Sequence, residues 1–236
     1  MDFELVRLAV PTLAKGLWLT ALLTVTSVAI GFNLGLALAV MRLSKNRLLS
    51  GFAKGYSTVF RGTPLLVQLF LFYYGLGQLP FVRDNPVLWW IIGDGAHCAV
   101  MALALNTAAY TSEILRGGLL SIPAGLMEAA QACGMSRLLC FRRIAFPLAI
   151  RQALPAYGNE LVLVVKGTSL ASTITVLEIT GHAKRLMSQT YAILEIFAIA
   201  GLLYLFINLV LITLIRLLEA RLTRYLPYRS GARRAA

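Results

Sequence analysis

The chain has 236 residues, of which 58% are hydrophobic and 14% are charged, and its net charge is +12. A soluble domain needs much more polar surface, so this composition excludes an ordinary soluble protein and indicates one that lies in a bilayer. The three cysteines form no CxxC pair and the two histidines have no cluster of ligands around them, so we expect no metal site.

Five segments are long and apolar enough to cross a membrane, which takes about 20 mostly apolar residues. We predict an all-α membrane protein with five transmembrane helices, at residues 17–41, 57–80, 96–116, 153–174 and 192–215. Residues 1–220 would form the transmembrane domain, including a loop at 117–152. Residues 221–236 would form a basic tail.

The distribution of Lys and Arg predicts the orientation of these spans. Fifteen basic residues lie in the segments after the first and third spans and in the tail, and five lie on the other side, where acidic residues offset them. Since basic loops stay in the cytoplasm, the N-terminus should face out and the C-terminus in. Anionic lipid and topology then explain the net charge, and nucleic acid is not needed.

The first two spans carry signs of close packing and of a bend. Gly31 and Gly35 form a small-xxx-small pair, which favours close approach of two helices. At the start of the second span, Pro64 suits a first helical turn or a kink. Arg61, three residues earlier, is long enough to reach the lipid headgroups.

Three polar residues share one face of the third span. Asn106, Tyr110 and Glu113 are spaced i, i+4 and i+7. A polar stripe on an apolar helix should face the interior of a bundle. It either contacts substrate or joins helices by hydrogen bonds. We favour a structural role for Glu113, near the inner interface, and Asn106 is the better candidate for binding.

The loop at 117–152 has the pattern of a docking surface. Pro123 can begin a helix, and Glu128 follows where a carboxylate complements the helix dipole. Gly134 should end or bend that helix, because glycine costs about 1 kcal/mol in a helix interior. A second, basic helical segment should run to Pro147. Two helices around a bend suit a soluble partner, and an ordinary amphipathic interfacial helix is the alternative.

The fourth span contains two charged residues. Glu160 and Lys166 each cost about 2.5–3.5 kcal/mol at the middle of a membrane helix. They are six residues apart and cannot pair along one helix, whereas Asn159 and Lys166 share a face. A buried carboxylate suits a cationic ligand, and an ion pair with a structural Lys or Arg is the equal alternative. In the outer loop at 176–191, a short surface helix should contact an extracytoplasmic partner.

Several of these motifs together resemble those of ABC-importer permeases of the polar-amino-acid group. The resemblance covers about residues 16–220. It includes Arg61 to Gln68, with the sequence RGTPLLVQ, and the EAA loop, with Glu128-Ala129-Ala130, Gly134 and Ile144-Ala145-Phe146-Pro147. The segments 73–80 and 106–111 are most similar to M-type permeases of arginine systems. Phe146 departs from the leucine that is usual before the proline.

The resemblance implies the type I permease fold and a role in import, most simply of arginine, across a bacterial inner membrane. It implies no catalysis by this chain, which lacks a P-loop. It also implies several partners: two copies of an ATPase that bind ATP and Mg²⁺, a homologous sister permease and a periplasmic amino-acid-binding protein. The coupling residues would be Glu128, Ala129, Ala130, Gly134, Ile144 and Pro147. The candidates for the substrate pathway are Thr63, Gln68, Asn106, Tyr110, Asn159 and Glu160.

Three other classes compete with this interpretation. A stand-alone secondary transporter or channel is the first, but five spans do not divide into two repeated halves. A membrane enzyme is the second, but the chain offers no catalytic constellation. A structural membrane subunit is the third, and the charges in the fourth span argue against it only weakly.

Overall fold

A computed structural model describes residues 3–223, which form helices joined by short turns and contain no strand within that range. The α-helices are α1 (Phe3–Ala14), α2 (Gly16–Arg42), α3 (Arg47–Gly62), α4 (Leu65–Phe70), α5 (Pro80–Arg83), α6 (Pro86–Ile92), α7 (Gly95–Leu120), α8 (Ala124–Ala132), α9 (Arg137–Cys140), α10 (Phe146–Thr168), α11 (Ile179–Thr190) and α12 (Ile193–Thr223). Wider π-helical turns occupy Leu71–Gly75 and Phe141–Ala145, and tighter 3₁₀ turns occupy Leu76–Gln78 and Ser169–Ile174.

Three helical segments of the described residues are long and apolar enough to cross a membrane alone: Glu4–Arg42, Gly95–Leu120 and Ile193–Leu222. Two further pairs meet this standard only as bent units. Arg47–Gly62 meets Leu65–Gln78 at 101°, and Arg137–Ile174 meets Ile179–Thr190 at 46°. By length and composition, the structure therefore contains three to five membrane spans.

The helix boundaries differ from the predicted spans in three places. The predicted span 57–80 contains the sharp bend, because Pro64 lacks an amide hydrogen and has an extended ψ of 135°. Helix α10, which contains most of the fourth predicted span, begins at Phe146, inside the predicted loop 117–152. The last helix extends to Thr223 and so includes the start of the predicted tail 221–236. The rest of that tail lies outside the described residues.

The long helices α2 and α7 pack closely along the two glycines, as predicted. A Cβ atom at Gly35 would lie 2.7 Å from the Cβ of Thr111 and 3.0 Å from the carbonyl oxygen of Ala108. A Cβ atom at Gly31 would overlap the methyl group of Thr107. Glycine is therefore required where α2 meets the backbone of α7, the helix that carries the polar stripe.

The short helix α11 exists as predicted; one of its faces is buried, and Arg185, Ser188 and Gln189 on the other face are exposed. Ile179, Ala183 and Leu186 are buried in a cluster with α1 and α12 residues. Its N-cap, Glu178, is fully buried and accepts a hydrogen bond from the Tyr204 hydroxyl at 2.5 Å. The amide groups of two following residues also donate to this carboxylate. Packing buries this face because the cluster offers both apolar contacts and hydrogen bonds.

Candidate functional site

A cavity of about 200 Å³ lies between α7, α10 and the start of α4. Its wall is mostly apolar, with a few polar groups that converge, which is the usual composition of a small-molecule site. The residues that line it are Leu65, Leu103, Asn106, Thr107, Tyr110, Glu160, Leu163 and Val164. We call it the Glu160 cavity.

The carboxylate of Glu160 is the dominant charge in this cavity. The residue is only 5% exposed, and the hydroxyl of Thr107 donates a hydrogen bond to it at 2.7 Å. Among the described residues Glu160 forms no ion pair. The charge of Arg61 acts on this carboxylate only from beyond ion-pair distance. A buried carboxylate without a directly paired cation is unfavourable, so this geometry favours the ligand interpretation of Glu160 over the structural ion pair.

Polar side chains hold the bend between α3 and α4. The side-chain amide of Gln68 donates to the hydroxyl of Thr63 at 2.8 Å and to the carbonyl of Phe60 at 2.9 Å. Asn106 of α7 donates to Gln68 at 3.0 Å. Such bonds satisfy the carbonyl groups that a broken helix frees inside a membrane. Thr63 and Gln68 thus shape the site, and Asn106 both joins their network and lines the Glu160 cavity.

Tyr110 separates the Glu160 cavity from a second, more open pocket of about 420 Å³ and lines both. This pocket, which we call the basic vestibule, is lined by Arg42, Lys54, Ser57, Thr58, Arg61, Gly62, Tyr110 and Glu113. The guanidinium carbon of Arg61 lies 5.4 Å from the centroid of the Tyr110 ring, a cation–π distance. The two pockets therefore share one aromatic wall.

Glu113 of α7 links its own helix to the C-terminal ends of α2 and α3. It pairs with Arg42 of α2 and, at 3.0 Å, with Arg116 of its own helix. Arg61 of α3 lies 4.0 Å away. These contacts support the structural role that we predict for Glu113.

Asn159 does not lie with the other pathway candidates. It is exposed on α10, as is Lys166 seven residues later, and it is absent from the wall of the Glu160 cavity. Adjacent helical residues point about 100° apart, since a turn takes 3.6 residues. Glu160 faces inward for this reason, while Asn159 faces away from α7.

The predicted coupling residues lie apart from both pockets. Glu128, Ala129 and Ala130 are on α8, and of these only Ala130 is buried. Gly134 has a φ of +80° and follows the end of α8. Its amide donates to Gln131 and the next amide donates to Ala130, at 2.9 and 3.2 Å. This is the Schellman motif, which favours glycine. Of the two predicted roles for Gly134, to end the helix or to bend it, the structure shows the first.

The second helical segment does not stop at Pro147. Ile144 lies in the π-helical turn Phe141–Ala145, and Pro147 occupies the first turn of α10. One helical path therefore runs from the loop into the fourth span, which we did not predict.

Sequence reasoning missed Thr107 and the pair of Glu178 with Tyr204. Thr107 lies 53 positions from Glu160, so no local spacing connects them. The only sequence feature that pointed to Thr107 was its position next to Asn106 on a helix predicted to face the bundle interior. Nowhere in residues 3–223 do three or more His, Cys, Asp or Glu side chains gather as metal ligands would.

Comparison with known proteins assigns the family. Residues 31–224 match the family described as the inner membrane component of binding-protein-dependent transport systems. The nopaline transport system permease NocM of Agrobacterium fabrum is 51% identical over 98% of this chain and 96% of its own. The octopine permease OccM of Rhizobium radiobacter is 54% identical over 88% and 84%. The arginine permease ArtM of Escherichia coli is 41% identical over 89% and 94%.

Solved structures agree with this assignment. An amino acid ABC transporter superposes with a TM-score of 0.82 at 34% identity, over 94% of this chain and 99% of that one. The methionine transporter MetNI has a TM-score of 0.72 at 22% identity, over 95% and 98%, which supports the fold. The chain thus belongs to the family of binding-protein-dependent inner membrane components and is the permease, rather than the ATPase, of an ABC importer for amino acids.

Proposed function

We propose that this permease imports an amino acid with a cationic side chain, with arginine as the first candidate, and that the substrate passes through the Glu160 cavity. The observation that carries this proposal is a buried carboxylate facing a cavity with no cation paired to it. A guanidinium group binds a carboxylate through two parallel, charge-assisted hydrogen bonds. The cationic group of the ligand would then form the ion pair that Glu160 lacks within the protein.

The membrane arrangement we propose has five crossings, with the N-terminus outside and the C-terminus inside. Each bent pair then counts as one crossing. The Lys and Arg distribution supports this orientation, and it places α8 in the cytoplasm. The complex would contain this chain, a homologous sister permease, two copies of an ATPase that bind ATP and Mg²⁺, and a periplasmic binding protein. Anionic lipid would surround the basic inner ends.

Coupling to ATP hydrolysis would pass through α8 and the turn at Gly134. Glu128 and Ala129 are exposed there and available to a soluble partner. Ile144 and Pro147 lie on the helical path that follows, through which the movement would reach α10.

The relatives include permeases for nopaline, octopine and arginine, which gives three candidate substrates for this chain. We keep all three as candidates, because the Glu160 carboxylate would bind the cationic group of a ligand and does not discriminate among the remaining parts of the molecule.

Uptake into vesicles by the reconstituted complex with its binding protein tests the proposal. Radiolabelled arginine is supplied with ATP inside, and octopine and nopaline serve as competitors. Glu160→Gln should reduce uptake about tenfold or more, because a hydrogen bond to a charged group contributes about 1.5–3 kcal/mol. Glu195→Gln, which removes a carboxylate from α12, is the matched control and should retain uptake. Unchanged uptake and affinity in Glu160→Gln would refute the assignment.

A further inference from the structure

The Glu160 cavity and the basic vestibule present opposite charges along one helix. Glu160 is held at the level of Thr107 on α7, and Arg61 lies over Tyr110, one turn further along. We propose that Arg61 binds the carboxylate of the substrate while Glu160 binds its cationic end. This inference rests on the proposed function and deepens it, because it makes Arg61 a determinant of specificity.

The charge of Arg61 is available for this role. Its side chain is 44% exposed and lies 4.0 Å from Glu113, whereas Arg42 and Arg116 approach the same carboxylate more closely. Glu113 is thus already engaged by two other guanidinium groups. The vestibule wall has three cationic side chains and one carboxylate, so it attracts an anion.

The spacing of the two charges fits an extended amino acid. Helical rise is 1.5 Å per residue, so Tyr110 and Glu113 lie about 4.5 and 9 Å along α7 from Thr107. Six bonds join the guanidinium carbon of arginine to its carboxylate carbon, which spans about 7 Å when extended, given bonds near 1.5 Å. Tyr110 lines both pockets, so its ring is available to the aliphatic middle of such a molecule. The site therefore selects molecules with a cation and a carboxylate at this separation.

Agmatine, which is arginine without its carboxylate, tests this inference. Direct binding of labelled arginine and labelled agmatine is measured on the detergent-purified membrane complex, without the binding protein. The wild type should bind agmatine about tenfold or more weakly than arginine, as expected for loss of a charge-assisted hydrogen bond. Arg61→Gln should weaken arginine binding alone, so that the two affinities become similar. Arg61→Lys, which keeps the charge, should preserve part of the preference.

Two controls separate this inference from the proposed function. Arg47→Gln removes the same charge from the same helix, α3, at an exposed position that lines neither pocket, and should preserve the preference for arginine. Glu160→Gln should weaken both ligands, since both carry a guanidinium. If Arg61→Gln lowers the affinity for arginine and for agmatine equally, or if the wild type binds both equally, the role of Arg61 is wrong.

If the wild type binds neither ligand, or if Glu160→Gln leaves both affinities unchanged, the proposed function is wrong instead. Size-exclusion profiles establish that each variant complex is folded.

Discussion

Replacing Gly35 with alanine tests the close contact between α2 and α7. The added methyl group would lie 2.7 Å from the Cβ of Thr111 and 3.0 Å from the backbone oxygen of Ala108, and a backbone atom cannot rotate away. Gly201, in the membrane helix α12, has no atom within 4 Å of the same position. The two substitutions make the same chemical change in helices of the same chain, so only their surroundings differ.

We expect Gly201→Ala to stabilise the complex and Gly35→Ala to destabilise it. Alanine stabilises a helix by about 0.5–1 kcal/mol relative to glycine, and both variants gain this. Gly35→Ala also incurs overpacking, which costs about 1–3 kcal/mol. It should therefore be less stable than Gly201→Ala by about 1–3 kcal/mol. With about 2–4 °C per kcal/mol for a chain of this size, its melting temperature should be lower by about 2–12 °C.

The assay is thermal denaturation of the purified complex in one detergent, followed by loss of the monodisperse size-exclusion peak. Arginine affinity should fall together with stability, because α7 carries both Thr107 and Tyr110. A Gly35→Ala complex that melts at or above the temperature of Gly201→Ala would show that α2 and α7 do not meet as described.

Two further substitutions test contacts outside the cavity. Gly134→Ala should cost about 1–2 kcal/mol, because its φ of +80° is left-handed, and faster hydrogen exchange in α8 would reveal this loss of stability. Gly125→Ala, inside α8 with open space around it, should slow exchange instead. Tyr204→Phe removes the donor to the buried Glu178 and should lower stability by about 1–3 kcal/mol, measured as a lower melting temperature. Tyr191→Phe, at a residue that is 85% exposed, should melt like the wild type.

Local patterns predicted the features that depend on neighbouring residues. The i, i+4, i+7 spacing correctly placed Asn106, Tyr110 and Glu113 on an inward face, since helical periodicity alone determines this. The close contact of helices at Gly31 and Gly35 was predictable because two small residues four positions apart let another helix approach. These predictions needed no knowledge of which helices meet.

Features that depend on distant residues were not predictable. Pro64 gave the position of the bend, but its angle of 101° depends on where Gln68 and Asn106 find partners. The bond between Thr107 and Glu160 depends on the packing of α7 against α10. The burial of Glu178 was not predictable either, because its polar surroundings in the sequence do not indicate that Tyr204 of α12 contacts it.

The helical path from Arg137 through α10 has a mechanical consequence. Arg137 and Glu160 are 23 positions apart along a nearly continuous helix, which is interrupted by the π-helical turn Phe141–Ala145 and by Pro155. At 1.5 Å per residue this path forms a lever about 35 Å long, so a tilt of about 5° would displace its far end by about 3 Å. That displacement is comparable to the length of a hydrogen bond. A small rotation of the end beside α8 would therefore be enough to break the hydrogen bond between Thr107 and the Glu160 carboxylate. The stiffness of the π-helical turn would determine how much of the rotation is transmitted.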